Sequence, residues 1–237
     1  MQTQAIVNQI IWRQRTRPYL AVQPVNRSGE RQAKTGWRRT NSVASWSWEG
    51  CEGLRATVEI WADAPRVELV LNGRTVGSKR ADESTQFLAE FRVPYEPGSL
   101  VAIAFDQAGK EIGRDVLTSA SSTSLRLMMR PETDELRADG ADLLYVPIEL
   151  ADERGTIRPL ADREVTLTVT GAGSLLGFGT GEAIATEEFA ANRHRTFQGR
   201  ALAVVRAGHE TGHVSIAASA DGCESVSIAV PVVPLFA

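Results

Sequence analysis

Residues 66–79 read Arg-Val-Glu-Leu-Val-Leu-Asn-Gly-Arg-Thr-Val-Gly-Ser-Lys. Val67, Leu69 and Leu71 alternate with Glu68 and Val70, a two-residue period that lines an apolar row along one face of a strand. Asn72-Gly73 then supplies the two-residue link of a type I′ hairpin, because both central positions need positive φ and Asn and Gly tolerate it best. Pairing across that turn sets Leu69 opposite Val76 and Val67 opposite Ser78, so the apolar row is expected to continue on the returning strand. A hairpin with one wet and one dry face needs further strands to cover the dry one.

Those strands follow at even spacing. Ala56, Val58 and Ile60 alternate, and Asp63-Ala64-Pro65 turns into the hairpin. Phe87, Ala89, Phe91 and Val93 alternate again, Pro97-Gly98 turns, Leu100 to Phe105 is a short apolar run, and a last strand passes through Ile112 and Val116. About seven strands in roughly 80 residues, with turns every 8 to 12, is the pattern of an immunoglobulin-like sandwich. Ser119 to Ser124 reads as a polar linker.

A second cycle begins at Leu125, Leu127 and Met129. Leu144, Val146, Ile148 and Leu150 form a strand whose Pro147 belongs on the opposite face or on a sheet edge. Val165 to Val169, Ala201 to Arg206, His213 to Ser219 and Val226 to Val230 supply more strands, with an irregular stretch before Asn192. The predicted fold class is all-β: two tandem immunoglobulin-like β-sandwich domains, at 41–121 and 122–237, preceded by a short helix and an extended arm at 1–40. Strands never alternate with ten-residue helical patterns, which excludes a parallel-sheet enzyme fold.

At the start, Ile6, Val7, Ile10 and Ile11 mark one face of a helix with Trp12 beside it. So short a helix is not stable alone in water, so it must dock on a sandwich or on a partner elsewhere. Residues 1–48 hold eight basic side chains against Glu30 alone, a local +7, which leaves -10 for the rest of a chain of net charge -3. The arginines are dispersed among Pro18, Pro24 and Gly29 with no recognised fold to present them, so the reading is an arm against acidic protein surface rather than nucleic acid. No apolar run approaches the ~20 residues that cross a bilayer. The start also lacks the features of a secretory signal, so no membrane partner and a cytoplasmic setting are expected. Cys51 and Cys223 lie in different halves, and no disulfide framework is expected.

Several patterns invite a chemical reading. Trp46 and Trp48, two apart in Ser-Trp-Ser-Trp-Glu-Gly, and Trp61 are the candidate carbohydrate-binding residues, as an aromatic platform; the competing reading packs them under the arm. His209-Glu210-Thr211-Gly212-His213 matches the zinc-protease pattern H-E-x-x-H, but the chemistry needs a helical turn, and the flanking glycines and following strand point to a polar hairpin loop. Gly171, Gly173, Gly177, Gly179 and Gly181 precede no helix that could receive a phosphate, so they read as a tight loop between strands. No catalytic constellation, metal site or cofactor is expected.

The order of these motifs carries a resemblance. SWSWEG, VELVLNGRTVGSK and FRVPYEPGSLVAIAFDQAGKEIGRDVL resemble the immunoglobulin-like domain that follows the catalytic barrel in glycoside hydrolase family 2 β-galactosidases. LRADGADLLYVPIELADERGTIRPLADREVTLTVTGAGSLLGFGTGEA, with RTFQGRALAVVRA, resembles the terminal domain that comes next, and IVNQIIWRQR resembles the last barrel helix and its exit. The chain departs from the usual Gly-Asn-Gly-Asp of that family at Gly179-Thr180-Gly181-Glu182. The resemblance implies that the acid/base and nucleophile glutamates lie on barrel strands ahead of this stretch. It implies a non-catalytic C-terminal piece whose partners are the catalytic barrel and N-terminal domains of a parent glycosidase, with a homo-oligomer and an oligosaccharide as further partners.

Overall fold

The computed structural model describes residues 3–30, 39–121, 124–182 and 187–235. Trp37, the part of the basic arm from 31 to 38 and Ser122-Thr123 of the linker lie outside them. The chain divides into two compact units, Met1–Ser119 and Ala120–Ala237.

The first unit runs α1 (Thr3–Ile11), β1 (Tyr19–Val22), β2 (Arg55–Trp61), β3 (Ala64–Leu71), β4 (Arg74–Ala81), β5 (Leu88–Pro94), β6 (Ser99–Phe105) and β7 (Glu111–Thr118). Two antiparallel sheets, ordered β1-β2-β5 and β4-β3-β6-β7, face each other. Between them lie Leu20, Val58, Ile60, Val67, Leu69, Phe91 and Leu100, the alternating residues of the strands. Tyr19–Val22, read in the sequence as part of the arm, is a strand in register with β2, with Leu20 opposite Ile60. Both faces of β1 are buried: Leu20 and Val22 point into the sandwich, while Tyr19 and Ala21 join Trp61 under Ile6, Val7 and Ile10 of α1. The helix thus docks on the outer face of the three-stranded sheet.

The β3–β4 link is the expected two-residue turn, with Asn72 at φ 48° and Gly73 at φ 78°. The register beyond it differs from the expected one. Leu69 faces Gly77 and Val67 faces Lys79, because a bulge makes Val76 an extra residue. A single inserted residue sends every later side chain to the other face. Val76 is therefore exposed, and within this sheet the apolar row continues instead on β6, where Ala104, Ala102 and Leu100 lie opposite Val67, Leu69 and Leu71.

The second unit runs β8 (Arg126–Met129), β9 (Leu136–Arg137), β10 (Leu143–Ala151), β11 (Glu164–Gly171), β12 (Gly173–Gly179), β13 (Arg193–Arg195), β14 (Arg200–Ala207), β15 (Gly212–Ala220) and β16 (Val226–Val233). Its sheets are ordered β12-β14-β10-β8 and β13-β11-β15-β16-β9, and among the described residues only the short β9 pairs in parallel. Leu144, Val146, Ile148, Val165, Leu167, Val205, Val214 and Ile216 fill the space between. Pro147 is tolerated inside β10 for a local reason. Its carbonyl accepts from Arg130 N, so its missing donor faces the β8 side, just past Met129, the last residue of that ladder. The glycine-rich stretch is not a loop: Gly173 to Gly179 form edge strand β12, bulged between Leu175 and Gly177.

Candidate functional site

The three tryptophans singled out in the sequence are inside the first unit, with exposures of 0% for Trp46, 1% for Trp48 and 3% for Trp61. Trp46 donates from Nε1 to Glu96 O at 2.9 Å and meets the Tyr95 ring edge-on, centroids 4.9 Å apart. The Tyr95 hydroxyl donates to Trp46 O and accepts from Trp48 N. Burial pushes the Tyr95 phenol above its ordinary pKa, partly offset by that N–H. Ser45–Trp48 is therefore a plug for one end of the sandwich, and no indole face there is open to a sugar. The exposed indole among the described residues is Trp12, at 74%.

Trp61 belongs to a second network. Glu59, buried on the outer face of β2, accepts from Trp61 Nε1 at 3.0 Å, from Gln23 Nε2 at 2.9 Å, and from the hydroxyls of Thr40 and Ser42. Thr3 Oγ1 donates to Ser42 O at 2.6 Å, so the helix, the end of the arm and the sheet are tied through one carboxylate. This explains why a charge is buried there: each donor compensates part of its lost hydration.

The H-E-x-x-H match adopts no helical turn. His209 sits in the link between β14 and β15, its ring against Gly140, while His213 pairs with Pro231 inside β15. Among the described residues no three His, Cys, Asp or Glu side chains converge. Both cysteines are free thiols.

What the structure brings together, and the sequence did not announce, is a ladder of three rings at the open side of the second sandwich. Phe178 of β12 and His194 of β13 point inward from the edge strands of opposite sheets and meet edge-on, centroids 5.9 Å apart. Phe189, on the connection between those strands, lies near-parallel to His194, centroids 6.3 Å apart at 20°. His194 is 2% exposed; Nδ1 lies 3.0 Å from Arg195 O, and Nε2 has no partner among the described residues. Phe178 N donates to Phe189 O at 2.7 Å, which occupies the free edge of β12. A methyl at Gly179 would stand 2.3 Å from the Phe189 ring, so glycine is what admits that ring. The altered loop Gly179-Thr180-Gly181-Glu182 leaves β12 at this point, and residues 183–186 lie outside the described ones.

Residues 127–229 match the family model described as glycoside hydrolase family 2 C-terminal domain 5, and residues 53–113 match a domain of unknown function, DUF4982. The chain is similar to a β-galactosidase from Bacteroides ovatus, 31% identical over 75% of this chain and 20% of that protein. It is also similar to a β-glucuronidase from Formosa agariphila, 24% identical over 85% of this chain and 20% of that one. A crystal structure of a glycosyl hydrolase family 2 member from Bacteroides cellulosilyticus superposes with a TM-score of 0.84 at 27% identity, covering 97% of this chain and 30% of that one. The chain thus spans about a fifth of the length of these curated relatives.

Proposed function

Because the chain is a C-terminal region of the glycoside hydrolase family 2 kind, related to β-galactosidase- and β-glucuronidase-like proteins, we propose that it is a non-catalytic brace within a longer glycosidase. The observation that carries this reading is one of extent: 97% of the chain superposes on 30% of a family member. Its own architecture is in keeping with a support role. The alternating residues of both units are spent on two cores, and the buried carboxylate Glu59 is committed to five donor contacts that fix the arm. Glycoside hydrolysis needs two carboxyl groups facing each other across a bound sugar. In this reading those groups, and the choice of galactoside or glucuronide, belong to the catalytic barrel of the parent. That barrel and the parent's N-terminal domains are then the partners.

The purified chain is expected to release no chromophore from nitrophenyl β-galactoside or β-glucuronide beyond the blank. Turnover proportional to its concentration would overturn the reading. In the parent glycosidase, deleting this region is expected to lower the melting temperature of the remainder while leaving its catalytic carboxylates in place. An unchanged melting temperature would remove the bracing role.

A further inference from the structure

Phe189 is the most exposed aromatic side chain among the described residues of the second unit, at 60%. A side chain whose sole task was to close the open side of the sandwich would gain more by turning inward, since the gain scales with apolar area removed from water. Instead, the ring is held flat. Its backbone is pinned by the 2.7 Å bond from Phe178 N, the ring lies within 20° of parallel to the buried His194 ring with centroids 6.3 Å apart, and bare Gly179 lets its edge approach the strand. Phe178 backs His194 in turn, so the platform stands on the core rather than on a mobile side chain. Glu188, the residue before it, is exposed as well. We propose that Phe189 is a glycan-stacking platform, taking the C–H face of a neutral β-linked pyranose on its open side while the adjacent Glu188 carboxylate accepts from a sugar hydroxyl. An aromatic face bordered by a few polar groups is the chemistry by which proteins hold such rings. The proposal rests on the reading of the chain as part of a glycosidase and names what this part of it would touch.

The test uses the whole 237-residue chain with β-1,4-galactotetraose and cellotetraose as probes, followed by titration calorimetry and by the ring-proton shifts of Phe189. Saturable binding of at least one probe with movement of the Phe189 resonances is expected. Phe189→Ala should weaken it about tenfold or more, and Phe189→Trp should preserve it. Phe189→Leu keeps apolar bulk at the site and loses the π-face, so it should behave as Phe189→Ala does. Equal binding by Phe189→Leu, absence of saturable binding of both probes, or binding of tetramethylammonium in place of either glycan would overturn the proposal. None of these outcomes touches the bracing role, which is read from the melting temperature of the parent.

Discussion

Asp152 has no exposed surface, and its carboxylate accepts from the backbone N–H of Ser121 at 2.8 Å, Arg154 at 2.9 Å and Thr156 at 2.8 Å. Burial works against its ionisation, but those three donors outweigh it and hold the carboxyl below the ordinary aspartate range. A depressed folded-state pKa contributes stability that is present above the unfolded value and is lost as the pH falls through the folded one. Asp152→Asn should cost about 2 kcal/mol at neutral pH, since one N–H donor then meets an amide NH₂. Urea midpoints measured from pH 7 down to pH 2 should fall less steeply for the variant than for the parent chain; parallel curves would contradict this. Glu59 makes the complementary case. Glu59→Ala strands the hydroxyls of Thr40 and Ser42 and the indole N–H of Trp61, and should cost about 3 kcal/mol by chemical denaturation. Neither network was legible in the sequence, because their donors and acceptors come from segments whose approach is set by the sheets.

The hairpin at β3–β4 shows where legibility ends. Asn72-Gly73 specifies its turn through local backbone sterics alone, and the turn is as read. The Val76 bulge is not local: β4 is an edge strand, and Gly77 lies 3.6 Å, measured from where a methyl would stand, from the Phe91 ring of the facing sheet. β1 hides for a similar reason, being four residues among prolines and arginines that gain strand character only by pairing with β2. The glycines of β12 read as a loop because the neighbours that crowd them are distant in the sequence: Val214 and the Arg206 carbonyl at Gly173, and the Phe189 ring at Gly179. Helix α1 was legible by its spacing, though not its seat. Ile10 is fully buried at the centre of that seat, so Ile10→Ala should cost about 2–4 kcal/mol and raise amide exchange throughout Thr3–Ile11. Exchange confined to residue 10 would show that the helix is held by something other than its apolar face.

For the molecule as a whole, each unit has its own core. Residues 120–237 expressed alone should therefore unfold cooperatively, with strand-type circular dichroism; a chain without a transition would show that the second unit depends on the first. The tandem-sandwich plan was readable because turns and two-residue periodicity recur along the sequence. The ring ladder at Phe189 was not, since it joins edge strands of two sheets. The placement of the indoles has a practical outcome for spectroscopy. Every tryptophan precedes residue 62, and Tyr145 is the sole tyrosine after residue 119. Intrinsic emission excited at 295 nm is accordingly a private channel to the first unit and is blind to the second. Within that channel Trp12 stands open to acrylamide, whereas Trp46, Trp48 and Trp61 are sealed from it, so with Trp37 replaced by Phe one quenching curve separates loosening at the helix end from melting of the sandwich beneath.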